Sequence, residues 1–209
     1  MIRKSFSVPP LGCNCSILGD PVTKRAIVID PGGAHERILR EVQQLGLTVT
    51  HILHTHAHLD HFLASGEMKK ATGATLCLHL EDRPLWEMLE VQCQMFGVPY
   101  VPVPLPDYWL SDEEKISVGN MEGIALHTPG HTPGSMSFHF PDEQLVLAGD
   151  TLFRGSIGRT DLWGGDFEAI EASIRERLYT LADATVVITG HGPETEIGIE
   201  KATNAFVRT

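Results

Sequence analysis

The sequence predicts an α/β fold in which central sheets are covered by helices. Short apolar runs bounded by glycine, proline or turn residues recur along the whole chain, and such runs are typical of strands. Between several of them lie longer segments in which apolar residues recur with helical spacing. Because the order mixes hairpin-spaced strands with strand–helix alternation, we expect sheets at the centre and helices on the outside.

The individual elements follow, in chain order, from the same two periodicities. Strands are predicted at residues 5–8, 13–18, 26–29, 49–53, 75–78, 124–127, 135–140, 145–148 and 185–188. Helices are predicted at residues 34–45, 62–72, 81–96 and 167–181, each ending at a glycine or a cluster of turn residues. So many strands argue against a helical bundle.

The segment at residues 97–112, GVPYVPVPLPDYWLSD, interrupts this pattern. Its prolines oppose regular structure, so we predict an extended loop. Tyr100, Tyr108 and Trp109 lie in it. Three roles are open for these aromatic side chains: packing over their own part of the core, lining an acyl pocket, or forming a dimer contact. The sequence does not determine the oligomeric state.

Length and composition indicate one folded domain. The 209 residues are 42% hydrophobic and 21% charged, which is ordinary for a globular protein. No Ser/Gly-rich linker divides the chain, so we predict a single domain over residues 1–209. The formal charge of −11 opposes a nucleic-acid partner, because such a partner needs a concentrated basic surface.

The sequence also predicts a cytoplasmic location. The N-terminal stretch is broken by Pro9, Pro10 and Gly12 before the apolar region of a signal peptide can form. No apolar run reaches the ~18 residues of a membrane helix, so no membrane partner is expected. The cysteines are then expected to be reduced thiols, namely Cys13, Cys15, Cys77 and Cys93.

The stretch HTHAHLDH at residues 54–61 concentrates potential metal ligands. It begins where a predicted buried strand ends, which is where sites collect in α/β folds. In an extended segment His56 and His58 lie on one side and can chelate one ion. Asp60 and His61 lie near the helix start and can serve a neighbouring ion. Asp60 alone would also suit a helix N-cap, but its histidine neighbours favour the metal role.

Three more loops that follow strands contain suitable ligands. His131 lies in HTPGHTPGS, Asp150 in LAGDTLF and His191 in ITGHGPET, each close to a glycine that permits a tight turn. The predicted assignment is His56, His58 and His131 for one ion, Asp60, His61 and His191 for a second, and Asp150 able to bridge. Nitrogen and carboxylate ligands with open positions suit Zn²⁺, with Fe or Mn as alternatives.

Two further histidines flank the ligands. His54 precedes the first cluster and His127 precedes the His131 loop. We expect them to orient ligating rings or to serve the fold, and not to bind an ion.

The motifs THAHLDH, TPGHTPGS, GDTLF and GHGPETEIGIE, in this order and spacing, resemble the metallo-β-lactamase superfamily, and more narrowly its glyoxalase II-like, hydroxyacylglutathione hydrolase branch. The resemblance runs over residues 13–200. It implies a four-layer αββα sandwich with the metals at one edge and the same ligand assignment. Longer members of that branch carry a C-terminal helical domain that holds glutathione, and the resemblance does not extend to such a domain here.

The stretch GSIGRTDLWGGD also resembles the small single-domain members of that branch. Arg159 and Asp161 lie in it. They form a structural ion pair or contact the substrate, and the sequence leaves both readings open.

The expected reaction is hydrolysis of a thioester such as S-D-lactoylglutathione. Two neighbouring divalent ions lower the pKa of a bridging water, which supplies hydroxide as the nucleophile. Asp60 is the expected catalytic residue, because it orients that nucleophile by accepting a hydrogen bond. A thiol leaves readily as thiolate, so the reaction needs no strong general acid. The expected partner is thus a small-molecule thioester, with glutathione the expected carrier.

Other activities on the same scaffold remain open. The related persulfide dioxygenases hold one iron on residues matching His56, His131 and Asp150. Their last metal-binding histidine is typically followed by Asp-Tyr, whereas Gly192 and Pro193 follow His191 here, as in the hydrolases. A lactonase, a β-lactamase or another ester hydrolase would use the same ions, because the nucleophile does not select the acyl group. A non-enzymatic binding module would have no use for so many convergent ligands.

Overall fold

The computed structural model describes residues 1–208, which form two compact units. The first comprises Met1–Leu110 with Ser117–Met121, and the second comprises Ser111–Ile116 and the chain from Glu122 onward. The single domain expected over residues 1–209 concerns both units together and stays a prediction.

The first unit is built on a mixed sheet. Its strands, in spatial as well as chain order, are β1 (Ile2–Val8), β2 (Cys13–Gly19), β3 (Arg25–Ile29), β4 (Thr48–Leu53), β5 (Thr75–His79) and β6 (Tyr108–Leu110). The β1–β2 and β2–β3 pairs are antiparallel, whereas β3 to β6 run parallel to one another. The carboxyl ends of these parallel strands therefore lie at one edge of the sheet.

Helices of the first unit bury apolar residues against this sheet. They are α1 (His35–Gln44), α2 (Leu59–Phe62), α3 (Ser65–Thr72), a 3₁₀ turn (Leu80–Asp82), α4 (Arg83–Glu87) and α5 (Leu89–Phe96). Ile38 of α1, Met68 of α3 and Leu89 of α5 join Ile52 of β4 in one buried core. Burial of each large apolar side chain stabilises the fold by about 1.5–3 kcal/mol, and this holds the helices against the sheet.

Two predicted helices are interrupted, and tertiary hydrogen bonds explain both breaks. The helix expected at residues 62–72 starts earlier and breaks where the Ala64 amide donates to Pro31 O, 2.9 Å away. The helix expected at residues 81–96 restarts at Leu89, and there Leu85 O accepts the side-chain amide of Gln92 at 2.9 Å. Bonds of this kind compete with the helical ladder and leave no trace in apolar spacing.

The prediction of an extended loop at residues 97–112 is wrong at its end. Strand β6 pairs there with β5 in parallel register. Asp107 starts the pairing, because its carboxylate accepts from Leu76 N at 2.8 Å and its amide donates to Leu76 O at 2.8 Å. Three residues are too few to give a periodic signal.

The second unit is built on another mixed sheet. Its strands are β7 (Glu114–Val118), β8 (Met121–His127), β9 (Met136–Phe140), β10 (Leu145–Gly149), β13 (Val186–Thr189) and β14 (Thr195–Glu196), in the order β14-β13-β10-β9-β8-β7, while β11 (Leu152–Phe153) and β12 (Ser156–Ile157) form a separate hairpin. Ser117–Met121, which comprises the end of β7, the turn and the first residue of β8, is grouped with the first unit. Strands β8 and β10 are both antiparallel to β9, and β13 is parallel to β10. The carboxyl ends of β8, β10 and β13 therefore point to the same edge.

The helices of the second unit cover this sheet. They are α6 (Phe167–Ser173), a π-helix (Ile174–Leu178) that continues it, and α7 (Ile197–Thr203). Asp166 caps α6 by accepting from Ala169 N at 3.0 Å. The predicted helix at 167–181 is thus present with a π-helical second half, whereas α7 and the short strands β7, β11, β12 and β14 are additions.

The sequence predicts neither a membrane-spanning helix nor a disulfide. No helix in this part of the chain is long and apolar enough to cross a membrane. No disulfide links the four cysteines within residues 1–208, and all four are buried.

Candidate metal-binding clusters

The first cluster lies at the edge where the parallel strands of the first unit end. Asp30 directly follows β3, the segment at residues 54–61 follows β4, and Asp82 follows β5 by way of the 3₁₀ turn. Parallel strands bring such residues to one edge, as the sequence predicts for α/β sites.

The predicted ligands of this segment lie close together, and all of them are buried except the half-buried His58. The ring centroids of His56 and His58 are 4.8 Å apart, and those of His56 and His61 are 4.1 Å apart. His61 Nε2 lies 3.8 Å from Asp60 Oδ2. Asp60 is the second residue of α2 and His58 occupies the N-cap position, so the structure does not use Asp60 as a cap.

Asp30 determines which nitrogen of two ligand rings carries the proton. Its Oδ2 lies 3.0 Å from His61 Nδ1, and a carboxylate can only accept, so Nδ1 holds the hydrogen. Thr55 Oγ1 donates to the same oxygen at 2.6 Å and lies 3.1 Å from His56 Nδ1, from which it must then accept. In its neutral form each ring therefore has its lone pair on Nε2, which is the form that binds a metal.

His54 is excluded from metal binding by its contacts. Its Nδ1 lies 2.9 Å from Cys77 O and its Nε2 lies 2.7 Å from Ser65 Oγ. The ring stacks on Phe62 at 3.7 Å between centroids. Burial lowers the pKa of His54 to about 4, so the imidazole is neutral at physiological pH. His54 is therefore a residue of the fold that packs behind the ligand segment.

Cys13 of β2 also lies beside the cluster. Its Sγ is 3.4 Å from His61 Nδ1. Burial raises the pKa of this thiol to about 12, so the group stays protonated and neutral. The carboxylate of Asp30 is the partner that fixes the His61 ring.

The second cluster lies at the edge of the second unit where β8, β10 and β13 end. His131 follows β8, Asp150 directly follows β10 and His191 follows β13. Asp150 Oδ2 lies 3.6 Å from His131 Nε2 and 3.7 Å from His191 Nε2. One carboxylate oxygen thus stands between the two imidazoles.

The glycine-rich segment around residue 158 positions His131. Its Nδ1 lies 2.8 Å from Arg159 O, which can only accept, so this ring also has its lone pair on Nε2. A Cβ at Gly158 would lie 1.7 Å from Asp150 O and 3.3 Å from His131 Nδ1. Only glycine permits this approach of the backbone.

The Arg159 side chain forms an ion pair with Asp161. Nε lies 2.7 Å from Oδ1 and Nη2 lies 2.9 Å from Oδ2. Both side chains are more than half exposed. This bidentate geometry supports the interpretation of Arg159 and Asp161 as a structural ion pair, which is one of the two roles predicted for them.

The predicted ligands thus fall into two groups with the donor chemistry of a metal site. The first unit brings together His56, His58, Asp60 and His61, and the second brings together His131, Asp150 and His191. Imidazole nitrogens with hydrogen-bonded Nδ1 atoms and neighbouring carboxylates suit Zn²⁺, Fe or Mn. Sequence reasoning missed the residues that orient them, above all Asp30. Its place directly after a strand, like that of Asp150, was the available signal.

Known proteins with the same features were found by sequence and by structure. A sequence profile of the metallo-β-lactamase superfamily matches residues 8–191. Hydroxyacylglutathione hydrolase GloC of Haemophilus influenzae is 40% identical over 198 residues, which are 94% of this chain and 93% of that protein. The crystal structure of BLEG-1, a B3 metallo-β-lactamase, matches with a TM-score of 0.92 at 34% identity and covers 100% of both chains. TTHA1623, solved in a di-iron-bound form, gives a TM-score of 0.90 at 37% identity over 98% of this chain and 100% of the other.

These matches confirm the predicted fold class. The chain has the metallo-β-lactamase fold, with mixed sheets flanked by helices. Its histidine and aspartate clusters are of the kind typical of a binuclear metal site, and one structural relative was solved with two irons. We conclude that the chain is a metal-dependent hydrolase that belongs to the metallo-β-lactamase superfamily.

Proposed function

We propose that this enzyme hydrolyses a thioester of the S-D-lactoylglutathione type with the help of two divalent ions. The position of Asp150 carries the binuclear part of the proposal. Its Oδ2 lies 3.6 Å from the His131 nitrogen and 3.7 Å from the His191 nitrogen, and the motifs assign these two histidines to different ions. A carboxylate oxygen between two such ligands suits a bridging role.

The proposed ligand sets follow the order of the motifs along the sequence. His56, His58 and His131 would hold the first ion, Asp60, His61 and His191 would hold the second, and Asp150 would serve both. Zn²⁺ is the proposed metal, and the di-iron form of TTHA1623 supports iron as the alternative. When bound, the ions supply a water of lowered pKa and polarise the substrate carbonyl.

Asp60 is the proposed catalytic residue. Its side chain is nearly buried, with 7% exposed, and lies 3.8 Å from His61 Nε2. A carboxylate in this place can accept a hydrogen bond from the attacking water and orient it through Oδ1 or Oδ2. The leaving thiol departs as thiolate, because its pKa is low enough to need no proton donor.

The thioester substrate is supported by the relative from Haemophilus influenzae, which is named a hydroxyacylglutathione hydrolase and matches along nearly the whole chain. A lactonase would use the same ions, so only the substrate distinguishes the two activities. The experiment therefore has to identify the group that carries the acyl chain. Glutathione is the proposed carrier.

The test is a hydrolysis assay on metal-replete protein with S-D-lactoylglutathione, with metal content measured on the same samples. We expect turnover of roughly 1–10³ s⁻¹. Asp60→Asn should lower kcat by about 10²–10⁴, the usual contribution of a positioned base. Asp142→Asn is the matched control, because Asp142 is an exposed aspartate in a 3₁₀ turn outside both clusters.

Metal-loaded protein without turnover would contradict the proposed substrate. Oxygen uptake with glutathione persulfide by the iron-loaded protein would then support the dioxygenase reading. Equal loss of activity in Asp60→Asn and Asp142→Asn would contradict the role of Asp60.

A further inference from the structure

The ligand segment of the first unit has a short stretch between its histidines and its helix. Ala57 lies between His56 and His58, and Leu59 is the first residue of α2. Ala57 has neither helical nor strand structure, so its backbone polar groups need partners from elsewhere. These partners are two side chains distant in the sequence.

Asp82 holds the amide before His58. Its Oδ2 accepts from Ala57 N at 2.8 Å. Asp82 is fully buried at the end of the 3₁₀ turn that follows β5. A buried carboxylate that accepts from a backbone amide forms a strong, charge-assisted bond, so this contact fixes the chain between two ligands.

Gln92 of α5 holds the same stretch from the other side. Its Nε2 donates to Ala57 O at 3.1 Å and to Leu85 O at 2.9 Å, while its Oε1 accepts from Leu59 N at 3.0 Å. The side chain is 4% exposed. The amide thus uses both donors and its acceptor on backbone groups, which leaves it a single orientation.

The bond to Leu59 replaces an ordinary helix cap. The first amides of a helix have no partner within the helix and are commonly satisfied by the side chain at the N-cap position. His58 holds that position in α2 and makes no capping hydrogen bond. Gln92 satisfies the Leu59 amide from another helix, so neither His58 nor Asp60 is needed as a cap.

We propose that Asp82 and Gln92 are positioning residues, which set His56 and His58 relative to Asp60 and His61 by holding the backbone that joins them. This inference rests on the proposed function, since it takes these four residues as metal ligands. Neither Asp82 nor Gln92 binds an ion in this account. Groups that orient metal ligands typically change metal affinity 10–100-fold when they are removed.

The test compares hydrogen-bond removal with plain loss of packing. Gln92→Met and Asp82→Leu keep a side chain of similar length and remove the bonds, whereas Asp82→Asn keeps an acceptor oxygen. Leu89→Ala is the matched control, because Leu89 is a buried residue of the same helix α5 that contributes to the apolar core. Zn²⁺ affinity is measured by chelator competition, and the geometry at the ion by the visible spectrum of the Co²⁺-substituted protein.

We expect Gln92→Met and Asp82→Leu to weaken Zn²⁺ binding 10–100-fold and to shift the Co²⁺ bands. Asp82→Asn should stay within about threefold of wild type, since its acceptor remains. Leu89→Ala should lose stability but keep the wild-type affinity and spectrum. In metal-free protein, hydrogen exchange at the Ala57 and Leu59 amides should accelerate in the bond-removing variants only.

Unchanged affinity and spectra in Gln92→Met and Asp82→Leu would overturn the inference, as would an equal effect of Leu89→Ala. Wild-type protein that takes up no ion would instead overturn the proposed function. The two failures are therefore distinguishable in one experiment, and the exchange measurement does not depend on metal.

Discussion

The two ligand clusters are held in place by different means. In the first unit the ligands lie within one short segment, and buried side chains such as Asp30, Asp82 and Gln92 fix its rings and its backbone. In the second unit each ligand lies on a separate loop after a strand. Main-chain groups orient the His131 ring and join the loops of Asp150 and His191, and the Thr189 hydroxyl donates to His191 O at 2.7 Å. His131 bonds to a backbone carbonyl, and the Gly190 amide donates to Gly149 O at 2.7 Å.

This difference predicts two kinds of sensitivity. A cluster held by side chains tolerates substitutions that keep an acceptor in the same place. The first cluster adds one close main-chain contact to these side-chain bonds, since a Cβ at Gly32 would lie 1.4 Å from Asp60 O. A cluster held by main-chain contacts depends on glycines, whose replacement brings a Cβ into atoms that cannot move away.

Gly158→Ala should have the largest effect. The new Cβ would lie 1.7 Å from Asp150 O, so the backbone beside two ligands must shift. We expect a loss of at least about 3 kcal/mol of unfolding free energy, as for severe overpacking, and loss of bound metal. Urea denaturation and metal analysis measure the two effects.

Gly155→Ala is the control for that substitution. Gly155 lies in the same segment with φ 67°, and a Cβ there meets no atom within 4 Å. Only backbone strain should remain, which costs about 1–2 kcal/mol, and metal content should stay at the wild-type level. Equal metal loss in both variants would show that the segment responds to strain in general and not to contact with Asp150.

The contrast between the clusters also explains which structural features could be predicted from the sequence. The predicted strands are present within a few residues, because the apolar runs around Ile27 and Val146 are buried in strands of the two units. The ligand motif was visible because its side chains are crowded into eight residues. By contrast, Gln92 contacts Leu59 from 33 residues away, and a glutamine within a helical pattern carries no local signal. Two-residue strands such as β11 and β14 are too short for any periodicity.

Asp30→Ala should have the next largest effect. The substitution leaves the Thr55 amide, the Thr55 hydroxyl and His61 Nδ1 without their buried acceptor. We expect a loss of about 2 kcal/mol of stability and a 10–100-fold loss of Zn²⁺ affinity, because two rings lose their orientation. Denaturation and chelator competition measure these quantities.

Asp30→Asn sharpens this prediction. Asparagine tolerates the left-handed backbone at this position, where φ is 52°, and keeps one acceptor oxygen. Its affinity should fall between wild type and Asp30→Ala. If Asn and Ala behave alike, the negative charge and not the acceptor geometry holds the first cluster.

Tyr179→Phe tests whether a hydrogen bond made by a side chain elsewhere in the second unit affects metal binding by its ligands. The Tyr179 hydroxyl lies 3.0 Å from Glu200 O and 2.9 Å from Val207 O, and the two carbonyls share its single hydrogen. Removing it should cost about 1 kcal/mol of stability. Metal affinity should not change, because neither bond involves a ligand residue. A clear loss of affinity would break the contrast between the units.

Ionisation of the same side chain is expected to lower the free energy of unfolding at alkaline pH. Burial raises the pKa of Tyr179 to about 12, while the unfolded side chain ionises near 10.0. Between these values the native state keeps a proton that the unfolded state releases, so stability falls as pH rises from 10 to 12. Urea midpoints at pH 9 and pH 11 should differ less in Tyr179→Phe than in wild type. An identical alkaline decline in both would assign the effect to other groups.

Arg159→Ala should have the smallest effect on metal binding. The group that fixes His131 is the backbone carbonyl of residue 159, which alanine supplies equally well. The lost ion pair with Asp161 is exposed, and such pairs contribute little to stability. Metal content and thermal midpoint should therefore match the wild type. The hydrolysis assay then separates the two readings of this pair, because an unchanged KM identifies a structural ion pair and a raised KM with bound metal intact identifies a substrate contact.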